Sequence, residues 1–235
     1  MEFPVRINKY LAHTGVASRR EADVLVEAGK VLVNGKKATN GQQILATDVV
    51  TLAGATKSKT YYAYYKGRGI ITHSPAEGET DIAERIKKDY GLSHVAPIGR
   101  LDKDSEGLII LSNDGRITGP LLSPESENEK EYEVTVDKPV SPMFLKIMAS
   151  GVDIEGYRTK PALIKASKTN GKKFTIILTE GKKHQIRRMC AALGYQIQTL
   201  KRIRVANIEL GKLKPNQYRK ITGPELKEFL NILGL

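Results

Sequence analysis

The chain has 235 residues, 38 Lys and Arg against 26 Asp and Glu, a net charge of +12, and 40% hydrophobic residues. The apolar fraction is high enough for a packed core, and no apolar run reaches the roughly 18 residues of a membrane-spanning helix. The single cysteine, Cys190, excludes an internal disulfide framework and a cysteine-ligated zinc site. With no signal-peptide pattern at the N-terminus, we expect a cytoplasmic protein without a membrane partner.

The start of the chain, residues 1–52, predicts a compact unit of two short helices and a β-hairpin. Ile7 and Leu11 lie on one face of the first helix, which ends at a glycine. Ser18 and Glu21 have the spacing of a capping box, which begins the second helix. A helix C-cap, a short strand and a tight turn follow at Gly29, 31–33 and Asn34-Gly35.

Basic side chains cluster on or between these two helices, at Arg6, Lys9, Arg19 and Arg20. The N-terminus of the second helix favours a phosphate beside the arginine pair. From the charges alone, an ordinary amphipathic helix pair with solvated charges explains the pattern equally well. The run RINKYLAHTGVASRREADVLVEAGKVLVNGK, within residues 5–50, resembles the S4 RNA-binding domain. The resemblance implies binding of structured RNA, and it does not imply catalysis.

Residues 53–60, AGATKSKT, are small and polar and are predicted to be a linker. Residues 61–235 then form a second domain with many strands, few helices and no regular βαβ rhythm. This pattern predicts an α+β fold with a mixed, mainly antiparallel sheet flanked by helices. The predicted strands are 61–66, 95–98, 107–112, 130–136, 162–167, 174–179, 196–200 and 203–210, and the predicted helices are 80–90, 141–150, 183–193 and 223–233.

A charged loop followed by an apolar strand, PIGRLDKDSEGLII, occupies residues 97–110. Loops held by strands are where functional residues concentrate. The loop carries three carboxylates at alternate positions and two interleaved basic residues, Asp102, Asp104 and Glu106 with Arg100 and Lys103. The acids could bind a divalent cation, but the basic residues and the lack of further ligands argue against it, and we expect no metal. A solvated polar loop is the simplest alternative.

The segment EKEYEV, residues 129–134, predicts an alternating strand that contains Tyr132. By pattern alone, this side chain is a half-exposed tyrosine on a sheet.

Residues 182–220 carry 11 basic groups and 1 acidic group, so most of the net charge lies in this stretch. Such a field favours a polyanion, most simply nucleic acid, although a solvated lysine surface is the alternative. The predicted helix at 183–193 presents a basic N-terminal half suited to phosphate or carboxylate, with His184, Gln185, Arg187 and Arg188. Further along, Lys201, Arg202 and Arg204 are expected to extend an RNA surface. Cys190, between Met189 and Ala191, is expected to pack in the core.

Three segments, PIGRLDKDSEGLIILSNDG, KEYEV and EGKKHQIRRM, together resemble the motifs of the S4-domain-containing ribosomal RNA pseudouridine synthases, in that family's order. The resemblance implies that Asp102 is the essential aspartate, that Tyr132 contacts the target base and that Arg187 forms a salt bridge to Asp102. Candidate contacts to the flipped nucleotide and its phosphates are Arg100, Leu101, Lys103, His184, Gln185, Ile186 and Arg188. One departure is Gly67, which stands where the family's first motif usually has proline.

The resemblance implies conversion of a uridine to pseudouridine after base flipping. Asp102 would act as nucleophile or as base at the sugar. No cofactor is needed, because the reaction is redox-neutral and transfers no group. The run MCAALGYQIQTLKRIRVANIEL resembles members acting on 23S large-subunit rRNA near the peptidyl transferase centre.

Alternatives are a uridine in small-subunit rRNA or tRNA, a hydrolase of the same glycosidic bond, and a non-catalytic S4 assembly factor. A monomer is expected by default.

Overall fold

The computed structural model describes residues 1–53 and 58–235. The N-terminal unit contains β1 (Val5–Arg6), α1 (Ile7–His13), α2 (Arg19–Glu27), β2 (Val31–Val33), β3 (Lys36–Lys37), β4 (Gln43–Ile44) and β5 (Val50–Leu52). The predicted capping box begins α2, since the Ser18 hydroxyl accepts from the Glu21 N–H and the Glu21 carboxylate accepts from the Ser18 N–H. Asn34 and Gly35 both have positive φ and turn β2 into β3, as that dipeptide predicts.

The rest of the chain builds around one large sheet. Its strands are β6 (Tyr61–Lys66), β7 (Ala96–Ile98), β8 (Glu106–Ser112), β9 (Lys130–Val136), β12 (Leu163–Ala166), β13 (Lys173–Leu178), β14 (Ile197–Val205), β15 (Ile208–Glu209) and β16 (Tyr218–Lys220), and a separate hairpin is β10 (Asp153–Ile154) with β11 (Tyr157–Arg158). The helices are α3 (Ile82–Tyr90), α4 (Thr118–Leu122), α5 (Pro142–Ser150), α6 (Gln185–Ala192) and α7 (Gly223–Ile232).

The sheet order is β12-β13-β9-β14-β8-β6-β16, with β7 beside β8 and β15 beside β14. Only the β14–β8 pair is parallel among the described strands, so the predicted mixed, mainly antiparallel sheet is confirmed. β6 is buried on both faces, because Tyr61, Ala63 and Tyr65 pack on the side of α7, whereas Tyr62 and Tyr64 pack on the side of α3. A further core lies between β9, β13, α5 and α6.

The parallel contact between β8 and β14 is short and requires a glycine. Lys201 pairs with Glu106 and Arg202 with Gly107, at the point where β8 leaves the charged loop. Gly107 has a φ of +111°, and a Cβ there would lie 2.2 Å from the backbone oxygen of Arg202. Position 107 therefore requires glycine for two reasons, the close contact with β14 and the positive φ.

We expect Gly107→Ala to lower the free energy of unfolding by roughly 3 kcal/mol, since the methyl group meets backbone that cannot move aside. Urea unfolding measures this change. The matched control is Gly78→Ala, where φ is +78° but a Cβ would meet nothing within 4 Å. If both variants lose equal stability, the cause is backbone strain alone and the strand contact contributes nothing.

One predicted pair of strands is wrong. Residues 196–200 and 203–210 were predicted as two strands, but β14 runs unbroken from Ile197 to Val205 and turns into the short β15. Register shifts between Ile197 and Thr199 and between Arg202 and Arg204 keep β14 paired with β9 where the alternation in the sequence breaks.

Part of the predicted linker, residues 54–57, lies outside the described residues, so the boundary at 53–60 stays a prediction. In the two described ranges, every helix is too short or too polar to cross a bilayer.

Candidate active site

A cavity of about 760 Å³ opens at the end of the sheet where β8 and β14 meet. Three segments form most of its wall, namely the loop before β8, the start of β9 and the turn between β13 and α6. Asp102, Tyr132 and His184 all line it, so the fold brings together residues from the three sequence motifs. The four predicted contact residues Leu101, Lys103, Gln185 and Ile186 also line it.

The loop that carries Asp102 is fastened at both ends. The Thr72 hydroxyl donates to the Leu101 carbonyl at 2.7 Å and accepts from the Leu101 N–H at 3.1 Å. The Ser105 N–H closes a turn onto the Asp102 carbonyl at 3.0 Å. The Asp102 backbone is therefore held on either side of the residue, which reduces the entropy lost on orienting its carboxylate.

Lys66, at the end of β6, anchors this loop from behind. Its side chain is fully buried, and its ammonium donates to the carbonyls of Ser105 at 2.7 Å, Gly67 at 3.1 Å and Lys103 at 3.4 Å. Burial lowers the pKa of Lys66 to about 8, against the opposing attraction of nearby carboxylates such as Asp102. The sequence analysis missed this role, although a lysine ending a fully apolar strand is itself a signal.

Gly67, which stands where the family's first motif usually has proline, makes a contact that favours glycine. Its N–H donates to the Asn216 side-chain oxygen at 3.2 Å, a bond that proline cannot make. A Cβ at Gly67 would also lie 2.8 Å from that oxygen.

The lowered pKa of Lys66 predicts a specific pH dependence of stability. Above pH 8 the native state releases this proton, whereas the unfolded chain keeps it until about pH 10.4. Stability relative to Lys66→Met should therefore rise with pH across this window, approaching about 1.4 kcal/mol per pH unit. Urea unfolding of both proteins at pH 7, 8, 9 and 10 measures the difference. A difference that stays flat or falls across this window contradicts the prediction.

The Asp102 carboxylate pairs with His184. Nδ1 of His184 lies 3.1 Å from Oδ2 of Asp102, and the two side chains are 44% and 36% exposed. His184 is the N-cap of α6 and has a φ of +52°. The predicted salt bridge between Arg187 and Asp102 is absent from this structure, since Arg187 instead donates to the Ser105 hydroxyl at 3.1 Å. Arg187 thus lies behind the same loop and outside the cavity lining.

Tyr132 lies on β9 between two partner strands, opposite Ile176 of β13 and Arg202 of β14. Its ring is half-buried against the core beneath α6, and it faces the cavity. Its hydroxyl makes no hydrogen bond to another described residue. Nearby Lys130, which was not predicted as a site residue, also lines the cavity, and burial lowers its pKa.

The turn before α6 is organised by Glu180, a buried carboxylate that the sequence analysis did not single out. It accepts from the Tyr157 hydroxyl at 2.5 Å, the Lys160 N–H at 3.0 Å and the Gln185 amide at 2.7 Å. Gln185 is buried where it bonds to Glu180, and Ile186 belongs to the core. Both residues therefore shape the cavity wall.

The basic residues predicted to bind RNA divide into two groups. Several are exposed and make no ion pair with another described residue: Arg6, Lys9, Arg19, Arg20 and Arg100. Lys103 is also exposed but pairs with Glu79 at 2.7 Å. The exposed group extends from the N-terminal unit to the cavity mouth, and its charge is available to a polyanion.

The other basic residues make contacts within the protein. Burial contradicts the predicted place on the RNA surface for Arg202, whereas the roles predicted for the partly exposed Lys201, Arg204 and Arg188 stay predictions. Arg202 is 5% exposed and donates to the Leu108 carbonyl at 2.7 Å. Arg204 pairs with two glutamates of the β9 segment, and Lys201 lies 3.9 Å from a third. Arg188 donates to the Ile154 carbonyl and pairs with Glu155. Charge counting alone does not distinguish these residues from the exposed ones.

Cys190 is fully buried, and burial raises its pKa to about 12, in keeping with the predicted packing role. Within residues 1–53 and 58–235, no group of three or more His, Cys, Asp or Glu is placed to hold a metal ion.

Comparisons with known proteins identify the family of this chain. Residues 60–192 match the RNA pseudouridylate synthase family and residues 5–50 match the S4 domain. The chain is 39% identical to the dual-specificity RNA pseudouridine synthase RluF of Escherichia coli (strain K12), covering 97% of this chain and 79% of that protein. It is 34% identical to the ribosomal large subunit pseudouridine synthase B of Bacillus subtilis (strain 168), over 94% of each chain.

Among solved structures, a crystal structure of a pseudouridylate synthase superposes with a TM-score of 0.70 at 26% identity, covering 97% of this chain and 99% of that one. The chain therefore belongs to the RNA pseudouridine synthases, isomerases that convert uridine to pseudouridine in RNA, and it carries an S4 domain at its N-terminus.

Proposed function

We propose that Asp102 is the catalytic nucleophile of this isomerase. The observation that carries the proposal is the placement of its carboxylate, which lines the cavity on a loop fastened by Thr72 and Lys66. Tyr132 lines the same cavity and supplies an aromatic face for a uracil taken out of the RNA stack.

The reaction balances without a co-reactant. Asp102 attacks C1′ of the flipped uridine, the bond from C1′ to N1 breaks, and the detached uracil turns so that C5 faces the sugar. C5 then bonds to C1′ and the carboxylate leaves. C5 loses its proton and N1 gains one, so the net change is an isomerisation. The Tyr132 hydroxyl is free of other described partners and is suited to proton transfer at the base.

We further propose that the substrate is a uridine of 23S rRNA near the peptidyl transferase centre. The name of the Bacillus subtilis relative supports a large-subunit target. The word dual-specificity in the RluF name allows a second RNA substrate, for which a tRNA uridine is our candidate. The exposed basic residues Arg6, Arg19, Arg20 and Arg100 form the phosphate-binding surface, so binding should weaken steeply with salt. We expect the enzyme to act as a cytoplasmic monomer.

Pseudouridine mapping of total RNA tests the target assignment. Cells lacking the gene should lose one 23S rRNA pseudouridine, and wild-type protein should restore it whereas Asp102→Asn should not. Loss of a tRNA or small-subunit site instead would redirect the assignment. Full restoration by Asp102→Asn would overturn the role of the carboxylate.

A further inference from the structure

A second cavity, of about 550 Å³, lies between the S4 domain and the large sheet. Ser18 and Glu21 of the S4 domain form one side of it. It shares four wall residues with the active-site cavity, namely Ile98, Gly99, Arg100 and Leu122. Arg100 and Asp102 are two residues apart, so their Cα atoms are within about 7 Å of each other. The two cavities are therefore neighbours across one thin wall.

The S4 domain contacts the catalytic domain through a side chain that is itself held in place. Asp114 is buried, accepts from the Tyr61 hydroxyl at 2.5 Å and pairs with Arg116 at 2.7 Å. Arg116 in turn packs against Gly15 of the S4 domain, where a Cβ would lie 2.4 Å from its side chain. The turn that ends α1 thus contacts the catalytic domain, and α2 begins a few residues after this turn.

The lining suits a flat, uncharged, polar-edged ring. His73 and His94 both line the cavity, and the His94 ring meets Tyr62 edge-on at 6.5 Å. Burial and the nearby Arg100 guanidinium lower the pKa of His73, against a hydrogen bond to Gly99 and the charge of Asp81, so its ring is neutral near pH 7. The hydroxyl groups of Ser93 and Thr118 line the same cavity and make no hydrogen bond to another described residue. Ser18 and Asn113 also line it, with polar groups that already bond to Glu21, Thr60 and Ser58.

The charges favour a base inside the cavity with its phosphate outside. Arg100 lines the cavity and is exposed. Arg20 is also exposed and directly precedes Glu21 of the lining, so two guanidinium groups lie beside the cavity on its solvent side. Histidine rings stack on unpaired bases in RNA-binding proteins, and arginines outside such a pocket hold the backbone.

We propose that this second cavity binds the nucleobase of a nucleotide close to the target uridine in the same RNA strand. The S4 domain and the catalytic domain then select the substrate jointly, because neither forms the cavity alone. The proposal rests on the enzyme's action on RNA, and it does not depend on which RNA is modified.

The test uses the RNA stem-loop around the uridine that pseudouridine mapping identifies. Single abasic nucleotides are placed in turn at each of the three positions on either side of the target. We expect one abasic position to lower kcat/KM of the wild-type enzyme by about tenfold, the scale of losing one base–ring stack. Ser93→Trp, at an exposed residue of the lining, should fill the cavity and lower kcat/KM on the intact RNA by a similar factor.

The decisive result is the combination of the two changes. Ser93→Trp should have little effect on the abasic RNA, because the base it excludes is already missing. His73→Ala, which enlarges the cavity, should show the same non-additivity. Ala166→Trp, at the far edge strand, is the matched control and should behave as wild type on every substrate.

Two results would overturn the proposal. One is that no abasic position lowers the rate, and the other is that the Ser93 and His73 variants lose equal activity on intact and abasic RNA. Failure of the catalytic assignment looks different, because Asp102→Asn would then retain turnover on all of these substrates.

Discussion

Asp102→Asn should lower the single-turnover rate of pseudouridine formation by roughly six orders of magnitude, the scale seen when an enzyme loses its nucleophile. The amide keeps the size of the carboxylate and its place beside His184 but cannot attack C1′. RNA affinity should stay near that of wild type, because the exposed arginines are untouched. The measurement is product formation on a stem-loop RNA, together with an RNA titration at fixed salt.

Asp104→Asn is the matched control for this experiment. Asp104 is two residues along the same loop, is exposed, and makes no side-chain hydrogen bond to another described residue. It removes the same charge from the loop while leaving Asp102 in place, so its rate should stay close to that of wild type. Equal losses in the two variants would mean that the charge of the loop matters and that Asp102 is not the nucleophile.

Local features of the fold were predictable because the residues that cause them are neighbours in the chain. The capping box of Ser18 and Glu21 and the turn at Asn34-Gly35 each need four residues or fewer, and both are present as predicted. The strand predicted at 61–66 matches β6, because YYAYYK is short and rich in aromatic residues, which favour strands.

The contacts that assemble the site were harder to predict from the sequence, because they join residues that are far apart in the chain. The Lys66 ammonium reaches Ser105, 39 residues away, and Arg202 reaches the Leu108 carbonyl, 94 residues away. A basic side chain looks the same in sequence whether it faces RNA or a buried carbonyl. Arg202 was therefore predicted to lie on the RNA surface together with residues that are exposed.

The sequence did not predict that His184 is the side chain that contacts Asp102, although it did predict the motif that contains His184. Both His184 and Arg187 come from the predicted EGKKHQIRRM segment. His184 adopts a left-handed backbone conformation just before α6, and it contacts the carboxylate, whereas Arg187 lies one turn further on. A spacing pattern does not predict an isolated positive φ at a residue other than glycine.

Arg187→Met should lower kcat by about 10² to 10³, with little change in KM. In this structure Arg187 donates to Ser105, whose N–H closes the turn at Asp102, so the guanidinium is anchored to the loop that carries Asp102. When a flipped uridine displaces water from the cavity, a permanent cation nearby offsets the desolvation of the carboxylate. Arginine supplies it at any pH, and its loss leaves a desolvated charge without compensation.

His184→Ala should lower kcat far less, by about tenfold or under, because the pair it forms with Asp102 is more than one-third exposed and water can replace the imidazole. Arg188→Met is the matched control, since Arg188 follows Arg187 on α6 but contacts Glu155 and lies outside the cavity lining. Its kcat should be near that of wild type. If His184→Ala proves the more damaging of the two site variants, the resting pair with histidine persists through the reaction, and Arg187 serves only to hold Ser105.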